Sequence, residues 1–188
     1  MYTNEDITKL FDSSIEIITK SKTLTDEIKT VIEKIHECLS TKNKIIIFGN
    51  GGSAADAQHM AAEFIGRFLK ERDGIPAISL TTDTSIITSL GNDYGFEFIF
   101  SRQCESLVKK NDIVIAISTS GRSKNVIEGI KTSKKLGATI ISFTGDYDNE
   151  MRDYSDHIIK IPSNSTPRIQ EGHRTIIHII CELVERNL

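Results

Sequence analysis

The sequence predicts an α/β fold, a three-layer αβα sandwich built on a five-stranded, mainly parallel sheet, with two helices ahead of it. Three observations predict it. Short apolar, β-branched runs recur five times, at residues 44–48, 77–80, 113–118, 139–144 and 157–161. Stretches of helical periodicity separate them, so strand and helix alternate. Most of the runs are apolar without interruption, which suits strands buried on both faces, as parallel strands joined by crossover helices are.

Taken in order, residues 1–41 contain no strand-like run. Their apolar residues recur at helical spacing, Ile7, Leu10, Phe11, Ile15 and Ile18, then Leu24, Ile28, Val31, Ile32, Ile35 and Leu39, which predicts two amphipathic helices. Residues 42–188 form the α/β core. Within it a helix is expected over 124–136, and the stretch from Pro162 to Pro167 reads as a loop into a last helix from Arg168 to about Arg186. There is no repeat, linker or low-complexity tract, and 188 residues are enough for one well-buried core, so 1–188 reads as a single domain.

The charge balance narrows the function. With 23 basic and 26 acidic residues the net charge is -3, which gives no basic surplus for nucleic acid or an anionic membrane, so any anion must be held locally. Cys38, Cys104 and Cys181 are odd in number and far apart, which argues for reduced core thiols rather than a disulfide framework or a thiolate zinc site. The first residues have no basic segment followed by an apolar one, and no run reaches 18 apolar residues, so the expected location is the cytoplasm.

In such sheets ligands sit beyond the carboxyl ends of the strands, and two of those ends carry small-residue turns. After the first run comes Gly49-Asn50-Gly51-Gly52-Ser53, where glycines permit close approach and Ser53 is expected to cap the next helix. After the third comes Ser118-Thr119-Ser120-Gly121-Arg122-Ser123, again ahead of a helix. Exposed amides and hydroxyls at a helix start favour an anion such as phosphate. Either turn alone is also an ordinary strand-to-helix connection; two together point to a phosphorylated ligand. The first turn also fits the dinucleotide pattern G-x-G-x-x-A, but the acidic residue that pattern needs about 20 residues later is absent, Asp83 lying too far on.

His59 and Glu63, four apart on the helix after the first turn, share a face and have the spacing of an acid–base or metal-ligand pair, or of a plain surface contact. Ala57, Ala61 and Ala62 beside them suit a crowded buried face. On the last helix His178, set among isoleucines, is expected to be buried, and His173 to be exposed or peripheral to the site.

These residues resemble a known family. Gly49–Ser53, Ser118–Gly121 with Ser123, Gly91-Asn92-Asp93-Tyr94-Gly95-Phe96-Glu97, and Arg168-Ile169-Gln170-Glu171 with His178 eight residues after Gln170 are similar to the sugar isomerase (SIS) domain, and more narrowly to the sedoheptulose-7-phosphate isomerases. The resemblance implies conversion of D-sedoheptulose 7-phosphate to D-glycero-D-manno-heptose 7-phosphate through an enediolate, toward bacterial surface heptoses such as those of lipopolysaccharide or capsule. It implies that Ser53, Ser118, Thr119, Ser120 and Ser123 hold the phosphate, that Asn50, Gly51 and Gly52 line the site, and that Asn92 and Asp93 contact the sugar. It further implies a zinc ion on His59, Glu63, Gln170 and His178, with Glu63 and His178 as base and acid, and a homotetramer. Gln170 and His178 would be about 12 Å apart along one helix, which argues for sites shared between subunits. The first helices, 1–41, are then expected in oligomer contacts. Thr166-Pro167 stands where some family members carry an acidic residue, so a role for that residue does not transfer.

The competing readings are a non-enzymatic SIS protein that senses a phosphosugar or binds a replication initiator, and an isomerase of a pentose or hexose phosphate. Relatives of the initiator-binding kind lack a histidine at the position of His178, which favours the enzyme.

Overall fold

The computed structural model describes residues 1–188. Helices α1 (Asn4–Lys20) and α2 (Thr25–Ser40) come first, joined by a 3₁₀ turn at Ser21–Leu24. Thr3 and Asp6 cap α1 reciprocally, each side chain taking the other's backbone amide. Then follow β1 (Ile45–Gly49), α3 (Gly52–Ile65), β2 (Ala77–Ser79), α4 (Thr84–Asp93) and α5 (Ser101–Leu107). The chain closes with β3 (Ile113–Ile117), α6 (Lys124–Lys135), β4 (Thr139–Thr144), α7 (Met151–Tyr154), β5 (His157–Lys160) and α8 (Thr166–Arg186). Pro167 sits in the first turn of α8, where its missing N–H is not needed.

The five strands form one all-parallel sheet in the order β2-β1-β3-β4-β5. β1 and β3 are buried along their whole length, and β4 at all but its first residue. The edge strands β2 and β5 are shorter and partly exposed, so continuous apolarity describes the centre of the sheet and not its edges.

Alternate residues of each strand point to opposite faces and seed two separate cores. Ile45, Ile47, Ile115, Ile117 and Phe143 join α1, α2, α3 and α8 in the larger cluster. Ile46, Phe48, Val114, Ala116 and Ile140 join α5, α6 and α7 in the smaller one. Three layers result. Cys38, Cys104 and Cys181 are buried free thiols within them, and burial pushes their pKa up to about 11, 12 and 12 respectively.

Candidate active site

From β1 the chain passes to α3 on one face of the sheet, and from β3, its neighbour, to α6 on the other. That reversal opens a crevice between the two strand ends, the place where open parallel sheets bind ligands. Both small-residue turns lie there.

Gly51, with φ of 56°, turns the chain out of β1 and is itself the N-cap of α3, with no side-chain cap. The turn is complete before Ser53, so Ser53 lies buried inside the first helical turn and is not the cap that the sequence suggested. Ser123 is the N-cap of α6, but its Oγ faces Ser118 Oγ at 3.1 Å and makes no bond to the helix amides. Two helices therefore present uncapped N-termini to one crevice, where unsatisfied N–H groups and the helix dipoles favour an anion. Ser120 Oγ accepts from the Arg122 amide at 3.3 Å, and the Thr119 carbonyl accepts from the Gly145 amide at 2.9 Å.

Asn50 lines this crevice in an unexpected way. Its side-chain amide exchanges two hydrogen bonds with that of Asn125, at 2.8 and 2.9 Å, tying the first nest to the start of α6. Asn125 is a buried residue that sequence reasoning missed. A groove of about 500 Å³ runs alongside, with Asn50, Ser123 and Asn125 on one wall and Gly95, Phe96 and Glu97 on the other. Its size suits a small phosphorylated ligand.

The helices α3 and α8 run side by side in the same direction and meet in successive rungs. At the first, Gln170 lies directly over Gly52: a Cβ there would come within 2.9 Å of Gln170 Cδ. At the second, Arg174 Nε and Nη2 reach Asp56 Oδ1 at 2.8 and 2.5 Å. At the third, His178 Nε2 lies 2.7 Å from His59 Nε2, which also faces Glu63 Oε1 at 3.4 Å. The ring of Phe68 lies 5.7 Å from that of His178. Residues 170, 174 and 178 are four apart, so all three project from one face of α8.

Burial raises the pKa of Asp56, with Arg174 opposing it. Burial, and then the Arg174 guanidinium, hold His59 below the ordinary imidazole value, with Glu63 pulling the other way. Beyond the cluster, Glu185 accepts from the amides of Phe68, Leu69 and Lys70 at 2.8, 2.6 and 2.7 Å and from Arg72 Nε at 3.0 Å. Burial alone would raise this carboxyl; the four donors outweigh it and bring the pKa down to about 2. The clamp fixes the loop that carries Phe68.

Three expectations need correction. His178 is only partly buried, whereas His173 is fully buried on the opposite flank of α8, its Nε2 3.2 Å from the Thr144 carbonyl. His173 follows the apolar stripe of Ile169, Ile176, Ile177 and Ile180, while His178 faces α3. Ala62 is exposed, so the buried face of α3 is Ala57, Met60, Ala61 and Phe64. Asn92 and Asp93, the residues expected to contact the sugar, are exposed at the end of α4, where Asn92 Nδ2 donates to Asp93 Oδ1 at 2.8 Å.

Of the expected metal ligands, His59, Glu63 and His178 come together, and Gln170 stands two turns away behind the Asp56–Arg174 rung. No group of three or more His, Cys, Asp or Glu side chains is arranged as a ready ligand set. The donor types nevertheless fit zinc, since two imidazoles and a carboxylate are a known combination. Zinc–nitrogen bonds near 2.0–2.1 Å with tetrahedral angles set two ligand nitrogens roughly 3.3 Å apart, so the two rings would have to part slightly from their 2.7 Å contact.

Gly52→Ala tests the first rung. The intruding Cβ meets the far end of a flexible side chain, so Gln170 swings aside, and alanine's higher helix propensity offsets the strain. The expected result is a melting temperature within a few degrees of wild type and a loss of activity of about tenfold from the misplaced amide.

The comparisons with known proteins agree with this fold. The family model described as the SIS domain matches residues 9–145. A phosphoheptose isomerase of Geotalea daltonii is 51% identical over 165 residues, covering 88% of this chain and 86% of that one. One of Aquifex aeolicus is 50% identical over 182 residues, covering 96% and 95%. The phosphoheptose isomerase structure from Neisseria gonorrhoeae superimposes with a TM-score of 0.92 at 37% identity, covering 97% of this chain and 98% of that one. That from Francisella tularensis gives 0.95 at 31% identity, covering 99% and 100%. With a family match over most of its length and relatives at half identity across nearly all of it, the chain belongs to the SIS-domain family and, within it, to the phosphoheptose isomerases.

Proposed function

We infer that the chain isomerises D-sedoheptulose 7-phosphate to D-glycero-D-manno-heptose 7-phosphate. The observation that carries this is the union, on α3 and α8, of an uncapped anion nest and a His59–Glu63–His178 cluster beside it. A phosphosugar isomerase needs both: a fixed grip on the phosphate, and groups that move protons between two adjacent carbons.

In the forward direction a base removes a proton from C1 of the ketose while an acid protonates the C2 carbonyl oxygen, giving an enediol. The O1 proton is then withdrawn and C2 takes a proton, leaving the C1 aldehyde. We assign the carbon-bound proton to Glu63 and the oxygen-bound one to His178. The contact between the two Nε2 atoms requires that one donate and the other accept, so the tautomers of His59 and His178 are coupled. A zinc ion held by His59, Glu63 and His178 would supply Lewis-acid polarisation of the substrate oxygens. The Ser118–Ser123 pair, with Ser53, Thr119 and Ser120, takes the phosphate, and Asn50, Gly51 and Gly52 line the approach to it.

The alternative of a non-enzymatic phosphosugar sensor has no observation in its favour, because a sensor has no need of a base and two imidazoles at the site. Aldose formation from sedoheptulose 7-phosphate by the purified chain is the test; an inert protein, with metal restored after a chelator, refutes the reading. The product would feed bacterial surface heptoses. Loss of Ser123 Oγ is expected to raise KM roughly tenfold in Ser123→Ala, the scale of one hydrogen bond to a charged group, with kcat little changed.

We further propose a homotetramer with sites completed between subunits. Leu10, Phe11 and Ile15 are 62%, 67% and 61% exposed on one side of α1, a continuous apolar stripe with nothing over it in a single chain. A cavity of about 590 Å³, lined in part by Ile18, Ile28, Ile32, Ile176, Ile179 and Leu183, adjoins it between α2 and α8. The separation of Gln170 from His178 supports the same arrangement. A monomer in sedimentation analysis that retains full activity would refute it. No helix is long and apolar enough to cross a membrane.

A further inference from the structure

We propose that His173, which lies outside the acid–base cluster, is a positioning residue for the phosphate end of the substrate, setting the orientation of the second nest through a single peptide group. The inference rests on reading residues 118–123 as the phosphate nest.

His173 is fully buried, its ring edge-on to Phe143 with centroids 5.6 Å apart. Its Nε2 lies 3.2 Å from the Thr144 carbonyl oxygen. A carbonyl only accepts, so Nε2 carries the proton and Nδ1 is left with a bare lone pair. That Nδ1 has no partner, a cost that a hydrocarbon ring in the same place would not incur. Packing alone does not account for a histidine here; its one hydrogen bond does.

Thr144 is the last residue of β4, and its carbonyl also accepts from the Ile161 amide at 2.9 Å. The same planar peptide group carries the Gly145 N–H, which donates to the Thr119 carbonyl at 2.9 Å. Hydrogen bonds on the two ends of one peptide polarise and align each other. Glycine is required at 145, since a Cβ there would lie 2.9 Å from the Thr119 oxygen and collide with Ile169. Because a trans peptide holds its C=O and N–H in opposite directions, fixing the Thr119 carbonyl on Gly145 turns the Ser120 N–H to the other side. The Thr119 and Ser120 amides donate to no group of the chain, so the one that is turned outward is free for an anion. The line of control runs from His173 on α8, through Thr144–Gly145, to Thr119–Ser120.

The test compares wild type with His173→Phe and His173→Gln, measuring KM and kcat for sedoheptulose 7-phosphate and competitive inhibition by inorganic phosphate. In His173→Phe, which keeps the ring and removes the donor, KM and the phosphate inhibition constant both rise about tenfold while kcat stays within about twofold. In His173→Gln, whose side-chain nitrogen reaches the place of Nε2, both constants return to within about threefold of wild type. The proposal is overturned if the phenylalanine variant keeps wild-type KM and inhibition, if it loses kcat at unchanged KM, or if glutamine behaves as phenylalanine does. Should phenylalanine not be accommodated, His173→Asn, whose shorter amide does not reach Thr144, replaces it with the same outcomes. Wild-type protein that inorganic phosphate fails to inhibit refutes the nest reading itself, whereas equal inhibition of wild type and variant refutes the role of His173 alone.

Discussion

Glu63→Gln and His178→Gln each lower kcat for aldose formation by about 10²–10⁴-fold, the usual contribution of a positioned acid or base. KM changes little, because the proton transfers exist only in the transition state and the phosphate grip is elsewhere. Stability changes little too: Glu63 is in contact with His59 at 3.4 Å and both remain partly exposed, so the pair contributes no more than about 1 kcal/mol. The double variant is expected to be scarcely worse than either single one, since residues that act as a unit are not additive. Steady-state rates and thermal melts on the three variants check this. If both single variants keep full rate, the assignment of proton transfer to this pair fails.

Acid weakens the fold in two separate windows, and the first belongs mainly to His173, with the part-exposed His59, also held low, adding to it. Burial pushes the pKa of His173 down to about 4, from 6.5 in the unfolded chain. The unfolded state therefore binds a proton that the folded state refuses, and stability rises with pH wherever the unfolded state holds more protons. The contribution is complete above pH 6.5 and is lost as the pH falls from there through 4. A gap of that size corresponds to about 3 kcal/mol. Glu185, held at about 2 against an ordinary 4.5, acts lower: its contribution is complete above pH 4.5 and is lost as the pH falls toward 2. Urea denaturation at pH 7 and pH 4.5 measures the first window alone. His173→Gln is expected to flatten the curve between those two values and leave the lower decline in place; an unchanged slope would show that another group titrates.

Much of this was legible in the sequence, and the failures have identifiable causes. The centre of the sheet could be read because strands buried on both faces, β1 and β3 above all, leave an unbroken apolar run. The nests could be read because small residues after a strand permit few other structures. The last helix was misread at one point only. Ile169, His173, Ile176, Ile177, Ile180 and Val184 share one stripe at helical spacing, and His173 belongs to it, whereas His178 lies with Gln170 and Arg174 on the flank. Attention to immediate neighbours hid a periodicity that was present. Asn125, and the pairing of Asp56 with Arg174, had no comparable signal. Both depend on which helices become neighbours, and the partners are 75 and 118 residues apart.

The Glu185 clamp bears on how the molecule comes into being. The carboxylate that orders residues 68–70, and with them the ring beside His178, belongs to the last turn of the last helix. During synthesis the loop at residues 68–70 stays unclamped, and the Gly145 support of the Thr119 carbonyl lacks its His173 contact, until α8 has emerged. One face of the sheet also waits bare for α8, whose Ile169, Ile176, Ile177, Ile180 and Val184 complete the larger core. One helix thus closes the larger core and clamps the loop beside His178, and shortening α8 by its last turn would release that loop while leaving most of the core contacts in place.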